Sequence, residues 1–147
     1  MTEFKRLTDD MFVAAQLSPD DVKRAAEEGF VLVVNNRPDG EETGQPLSAD
    51  IEKAANEQGM AYRAVPVSGG GFGMPQVEAL QDALKLAQGK TLAFCRSGTR
   101  STMLWALAQA KSGMDVAAIA DAAHAAGYDV QAIRPTLELL ARQSDSA

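Results

Sequence analysis

Short β-branched runs alternate along the chain with longer stretches whose apolar residues recur at helical spacing. Residues 11–16 form a brief apolar run that reads as a strand, and Leu17-Ser18-Pro19-Asp20 ends it. Ser18 as N-cap, Pro19 at the first helical position and Asp20 and Asp21 in the first turn open a helix to Glu28, which Gly29 stops. Phe30-Val31-Leu32-Val33-Val34 is continuously apolar and predicts a strand buried on both faces, the habit of parallel sheets. A loop over residues 35–46 follows, then a helix from Leu47-Ser48-Ala49-Asp50 to Gly59 and a strand over residues 62–67. Ser68-Gly69-Gly70-Gly71-Phe72-Gly73 predicts a mobile loop. Val77, Leu80, Leu84 and Ala87 share one face of a helix over residues 74–88, and residues 91–94 form another buried strand. Helices are predicted over residues 101–112, 116–126 and 130–143, leaving one domain over 1–143 and a frayed tail at 144–147.

This alternation predicts an α/β fold: a central, mostly parallel sheet of about four strands, flanked by helices joined through right-handed crossovers. Ligands in such sheets bind beyond the carboxyl ends of the strands, which directs attention to residues 35–46, residues 68–73 and the loop that starts at Cys95. Composition then narrows the partners. Fourteen Lys and Arg against twenty Asp and Glu give a formal charge of −6, which argues against nucleic acid or an anionic membrane as the main partner. No apolar stretch approaches a membrane span, and the amino-terminal residues carry no apolar core of a signal peptide, so a reducing cytoplasm is the expected compartment. One cysteine excludes an internal disulfide framework, and one histidine excludes a His-rich zinc site. Neither a metal nor a cofactor is expected.

The candidate chemistry lies in Phe94-Cys95-Arg96-Ser97-Gly98-Thr99-Arg100-Ser101, which places the single cysteine after a buried strand and just before a helix. A short strand-to-helix turn points successive backbone N–H groups into one concavity, the positive end of the helix adds to it, and Gly98 permits the tight curve. Arg96, Ser97, Gly98 and Thr99 thus form a predicted anion-binding loop, and a thiolate on Cys95 is favoured by its N–H groups and by Arg100. Arg100 can fork two oxygens, and the Ser101 hydroxyl can donate to the sulfur when it leaves. A lone cysteine is usually inert packing. The conjunction of strand end, glycine turn, two arginines and helix start favours a reactive one.

These residues also carry a resemblance. Residues 59–67, a flexible loop, a helix and then Phe94-Cys95-Arg96-Ser97-Gly98-Thr99-Arg100-Ser101 look like the core of the tyrosine and dual-specificity phosphatase-like fold. With Asn35-Asn36-Arg37-Pro38-Asp39-Gly40-Glu41 and Ala125-Ala126-Gly127-Tyr128-Asp129, nearly the whole chain resembles the small bacterial family named for the phosphatase-like domain of β-lactamase-hydrolase-like proteins, also called sulfur transferases. The resemblance implies a three-layer cysteine-phosphatase fold.

Two reactions of one thiolate follow. Phosphatases of this fold separate cysteine and arginine by five residues, whereas Arg96, Ser97, Gly98 and Thr99 are the four between Cys95 and Arg100. That shorter loop resembles the rhodanese sulfurtransferases, in which a compact ring of N–H groups holds a persulfide. The fold's phosphatases also supply an aspartate just after the strand equivalent to residues 62–67, and no carboxylate stands there. Sulfur transfer between thiols needs no strong acid when the leaving group is sulfite or an acidic thiol. The expected function is therefore transfer of sulfane sulfur through a Cys95 persulfide, from thiosulfate or a small persulfide to a thiol acceptor. Phosphomonoester hydrolysis through a phosphocysteine is the alternative, and a silent anion- or partner-binding module is the third reading.

Arg37 could bind the substrate anion, organise the active loop, or form a salt bridge with Asp39 or Glu41. Asp39, Glu41 or Glu42 could stand in for the missing acid if their loop folds over the pocket, or could be solvated turn residues. Phe72 is read as a pocket cover or an apolar anchor, Gln45-Pro46 as a turn, and His124 as a packing histidine.

Overall fold

The computed structural model describes residues 2–68 and 71–145. Five strands form one sheet: β1 (Lys5–Thr8), β2 (Met11–Ala14), β3 (Phe30–Asn35), β4 (Ala61–Ala64) and β5 (Lys90–Phe94), ordered β1-β2-β5-β3-β4. Only β1 and β2 are antiparallel; the other neighbours run parallel. The expected fold class holds, with one strand more than the four predicted. Strand β1 escapes a hydrophobic reading because Lys5-Arg6-Leu7-Thr8 buries Leu7 alone.

Helices α1 (Pro19–Glu27) and α2 (Ser48–Glu57) cover one face of the sheet. Their Val22, Ala25, Ile51 and Ala55 pack with Phe30, Val33, Leu92 and Phe94. Helices α3 (Met74–Leu86), α4 (Thr99–Lys111), α5 (Val116–Ala125) and α6 (Arg134–Asp145) cover the other, around Leu104 and Trp105 of α4. Three layers result, as the resemblance implies. Helix α1 begins as its sequence dictates: Asp21 donates its N–H to Ser18 Oγ (3.1 Å), and Asp21 Oδ2 accepts the Ser18 N–H (2.9 Å), with Pro19 opening the helix.

Several boundaries move. The strand predicted over residues 62–67 ends at Ala64, yet Val65 and Val67 still donate to the Asn35 and Asn36 carbonyls (2.9 Å each), continuing irregularly beside β3 past Pro66. Helix α4 starts two residues early, at Thr99, and α6 starts late, after a 3₁₀ turn over Gln131–Ile133. Helix α6 includes Ser144 and Asp145, so the predicted tail is helical in its first half; residues 146–147 lie outside the described residues. Strand β3 is not buried on both faces throughout, since Val31 is 39% exposed. Among the described residues no helix is long and apolar enough to cross a membrane.

Candidate active site

The carboxyl ends of β2, β3 and β5 lie side by side in the sheet, and the three loops leaving β3, β4 and β5 converge there. Cys95 follows β5 on the face of Ala93, and its N–H donates to the Ala14 carbonyl at the end of β2 (3.3 Å). The chain then turns through Arg96, Ser97 and Gly98 into α4. Gly98 is the N-cap and adopts a φ of +91°, open only to glycine without strain. Its N–H donates to Cys95 Sγ at 3.0 Å. Helix α4 opens at Thr99, so its first-turn N–H groups lack partners four residues back, and the helix dipole adds positive potential at the turn. The sulfur thus sits where an anion is stabilised, on a residue only 1% exposed.

Arg100, in the first turn of α4, faces this sulfur. Its Nη1 donates to Glu41 Oε2 (2.8 Å) and to the Val67 carbonyl (2.7 Å), and its Nη2 donates to Glu41 Oε1 (2.8 Å). Three of five guanidinium N–H groups are thereby fixed. The Nε edge and one Nη2 proton are left for the sulfur and whatever it carries. Hydrogen bonding to Glu41 first, and the nearby Cys95 after it, raise the Arg100 pKa and keep it charged against partial burial.

Arg37 serves this arrangement from behind. It is 3% exposed, and it donates from Nε to Glu41 Oε1 (2.9 Å), from Nη1 to Gln16 Oε1 (3.0 Å) and from Nη2 to Glu42 Oε1 (3.0 Å). Burial opposes its charge, but the bonds to Glu41 and Glu42 outweigh that and raise its pKa. All three of its nitrogens are engaged with the loop and Gln16, and of its two predicted salt-bridge partners, Glu41 is the one found.

The carboxylates offered as substitute acids are engaged in the same network. Hydrogen bonds from Arg100, and then Arg37, hold the Glu41 carboxyl down at about 2 in spite of its partial burial. Glu42 is likewise lowered, by Arg37 and by Arg96 at 3.9 Å. Asp39 Oδ1 accepts the Ser48 N–H (2.8 Å), which fixes the start of α2. Gln45 staples this loop, accepting the Glu41 N–H (3.1 Å) and donating to the Pro38 carbonyl (2.8 Å).

Ser101 meets a partner on β3's carboxyl-terminal side. Its hydroxyl donates to Asn36 Oδ1 (2.7 Å), and Asn36 Nδ2 donates to the Val65 carbonyl (2.9 Å), all of it buried. The Ser101 proton is therefore committed to tying α4 to β3 and not to the sulfur. Ser97 Oγ donates to Thr99 Oγ1 (3.0 Å) at the exposed rim, where Arg96 keeps 69% of its side chain in solvent. From outside, Tyr128 Oη donates to the Ser97 carbonyl (2.9 Å). Asn36, Gln16 and Tyr128 were given no role by the sequence reading; Asn36 and Tyr128 stand in segments that carry the family resemblance, and Gln16 had no signal. Phe72 packs against the core as an anchor. His124 is exposed in the last turn of α5, not packed, beside a groove of about 180 Å³ with Asp121, Asp129 and Arg134. Among the described residues no group of three or more His, Cys, Asp or Glu could hold a metal ion.

Residues 3–112 match the family model described as "Beta-lactamase hydrolase-like protein, phosphatase-like domain". The chain belongs to that family. It is 34% identical over 125 residues to a Beta-lactamase hydrolase-like protein of Xylella fastidiosa, covering 84% of this chain and 29% of that protein. A relative of the same name from Agrobacterium fabrum is 34% identical over 134 residues, covering 90% of this chain and 31% of the relative. The chain thus spans under a third of these curated relatives. A crystal structure of a candidate phosphatase from Neisseria meningitidis is similar with a TM-score of 0.80 and 31% identity, covering 92% of this chain and 96% of that one. Kinase associated phosphatase, solved with its catalytic-site cysteine replaced by serine, has a TM-score of 0.74 over 99% of this chain and 94% of its own, at 13% identity, a likeness of fold alone. Membership of the phosphatase-like family and the cysteine-phosphatase fold agree with an enzyme built around Cys95.

Proposed function

We propose that Cys95 is the nucleophile of a group-transfer enzyme acting on small anions, and that the group transferred is sulfane sulfur. The observation that carries the choice is the state of the carboxylates. Glu41 and Glu42 are held ionised by arginines, Asp39 is engaged with α2, and residues 68–73 contain no carboxylate. A phosphate ester with a poor leaving group needs a proton delivered to its departing oxygen, and no acid stands ready to deliver it. Sulfite leaves without one. The four-residue spacing between Cys95 and Arg100, one residue shorter than in the phosphatases of this fold, supports the same reading.

In this reading the Cys95 thiolate attacks the outer sulfur of thiosulfate; the new S–S bond forms as the old one breaks, and sulfite departs with the electron pair. In this reading the persulfide anion rests against the Gly98 N–H and the Arg100 guanidinium. An acceptor thiolate then attacks the outer sulfur, takes it as its own persulfide and returns Cys95 to a thiolate. The partners are a small anionic donor and a thiol acceptor.

The ester reading stands second, and the comparisons taken alone favour it: the family is described as a phosphatase-like domain, and the similar solved structures are described as phosphatases. There Cys95 attacks phosphorus, the alcohol leaves, and water hydrolyses the phosphocysteine to phosphate. Sulfite release from thiosulfate, measured beside phosphate release from an aryl phosphate, separates the two. We expect sulfite release, a gain of one sulfur on the Cys95 peptide by mass spectrometry, and loss of both in C95S. Turnover of the ester without sulfite release would overturn the proposal.

A further inference from the structure

The Ser97–Gly98 peptide is gripped at both ends. Its carbonyl accepts from Tyr128 Oη at 2.9 Å, and its N–H donates to Cys95 Sγ at 3.0 Å. In a trans peptide the C=O and N–H point to opposite sides, so a partner that fixes one fixes the other. Tyr128 lies in the corner between α5 and the 3₁₀ turn, beyond residues 3–112 matched by the family model. We propose that Tyr128 is a positioning residue for the nucleophile, holding this one peptide so that its N–H faces the sulfur.

The need for such a restraint follows from Gly98. A glycine at φ +91° lets the preceding peptide rotate at little cost, and a half-turn would aim the Ser97 carbonyl oxygen at the thiolate. A larger residue cannot supply the stiffness, because a Cβ at position 98 would lie 2.1 Å from Tyr128 Oη and 3.4 Å from the Ala14 carbonyl. The phenol hydroxyl provides a partner for the carbonyl in the orientation that serves the sulfur. Lys5 Nζ, 4.9 Å from the centroid of the Tyr128 ring, braces that ring from β1. The chain of contacts therefore runs from a surface lysine through Tyr128 and one peptide to Cys95.

This inference rests on the reading of Cys95 as a thiolate nucleophile, and the test keeps the two apart. Alkylation of Cys95 by iodoacetamide is followed from pH 5 to 10, roughly the range over which protein thiols ionise, in the full chain and in Y128F. Y128F keeps the ring and loses the hydroxyl. The expected result is a half-maximal rate reached about half to one pH unit higher in Y128F, with melting within a few degrees of the parent. At a fixed pH below both midpoints, alkylation should slow by up to about tenfold, the weight of a misdirected hydrogen bond to a charged group. Superimposable profiles would overturn the proposal, as would lower melting with an unmoved profile, since that marks a merely structural tyrosine. An unreactive parent would sink the nucleophile reading and this one with it. Should Y128F not fold, the Gly98 amide is observed by NMR in the parent as Cys95 is titrated. A single resonance that follows the ionisation supports the proposal, and a doubled or unresponsive one defeats it.

Discussion

Arg100 shows why residue type and not charge alone matters at this site. Its planar fork meets Glu41 twice, spends a third proton on the Val67 carbonyl and still interacts with Cys95, which an ammonium group with three donors on a flexible stem cannot do. Arg100→Lys is therefore expected to lower turnover by about a hundredfold or more while leaving the far-ultraviolet circular dichroism unchanged. Glu41 sets a pH dependence whose sign can be worked out. Its carboxyl titrates near 4.5 when unfolded and at about 2 when folded, so the stabilisation is complete above pH 4.5 and is lost as pH falls toward 2. Urea unfolding at a series of pH values should show stability falling across that window in the parent and falling less steeply in E41Q.

At the scale of elements, the active loop depends on how β5 hands over to α4. Gly98→Ala places a side chain in the left-handed region and drives it into Tyr128, so it should cost at least the roughly 1–3 kcal/mol of a strained residue and abolish turnover. Chemical denaturation beside the sulfite assay checks both parts. The elements around the loop were legible where the pattern was strong. Ser18 and Pro19 mark α1, the run at residues 30–34 marks β3, and Cys95-Arg96-Ser97-Gly98-Thr99-Arg100 announces the loop through its glycine and arginines. Strand β1 was not legible, because its pairing rests on backbone bonds to β2 while three of its four side chains are polar. The fate of Arg37 was hidden for a similar reason: nothing local distinguishes a surface arginine from one buried against Glu41, Glu42 and Gln16. The Ser101 bond to Asn36 was not legible because the two are 65 residues apart along the chain, a distance over which spacing carries no information.

For the whole molecule, the two faces of the sheet make different contributions. Ile51 belongs to the core under α1 and α2, and Leu104 to the core under α4. Ile51→Ala and Leu104→Ala should each cost about 2–5 kcal/mol, and the double variant should lose close to their sum because the sheet separates them. Only Leu104→Ala, one turn along the helix that carries Arg100, is expected to reduce turnover at a temperature where both single variants remain folded. Melting curves paired with activity across temperature would reveal that asymmetry.

The depth of Cys95 has one more implication. A nucleophile with so little of its surface in contact with solvent acts as a sieve, sorting by cross-section before chemistry begins. Under the proposed function, slender reagents such as thiosulfate or an extended thiol are expected to reach it, whereas a broad electrophile or a flat protein surface is expected to stop at the rim. Any macromolecular acceptor must therefore offer its reactive atom on a narrow protruding tip.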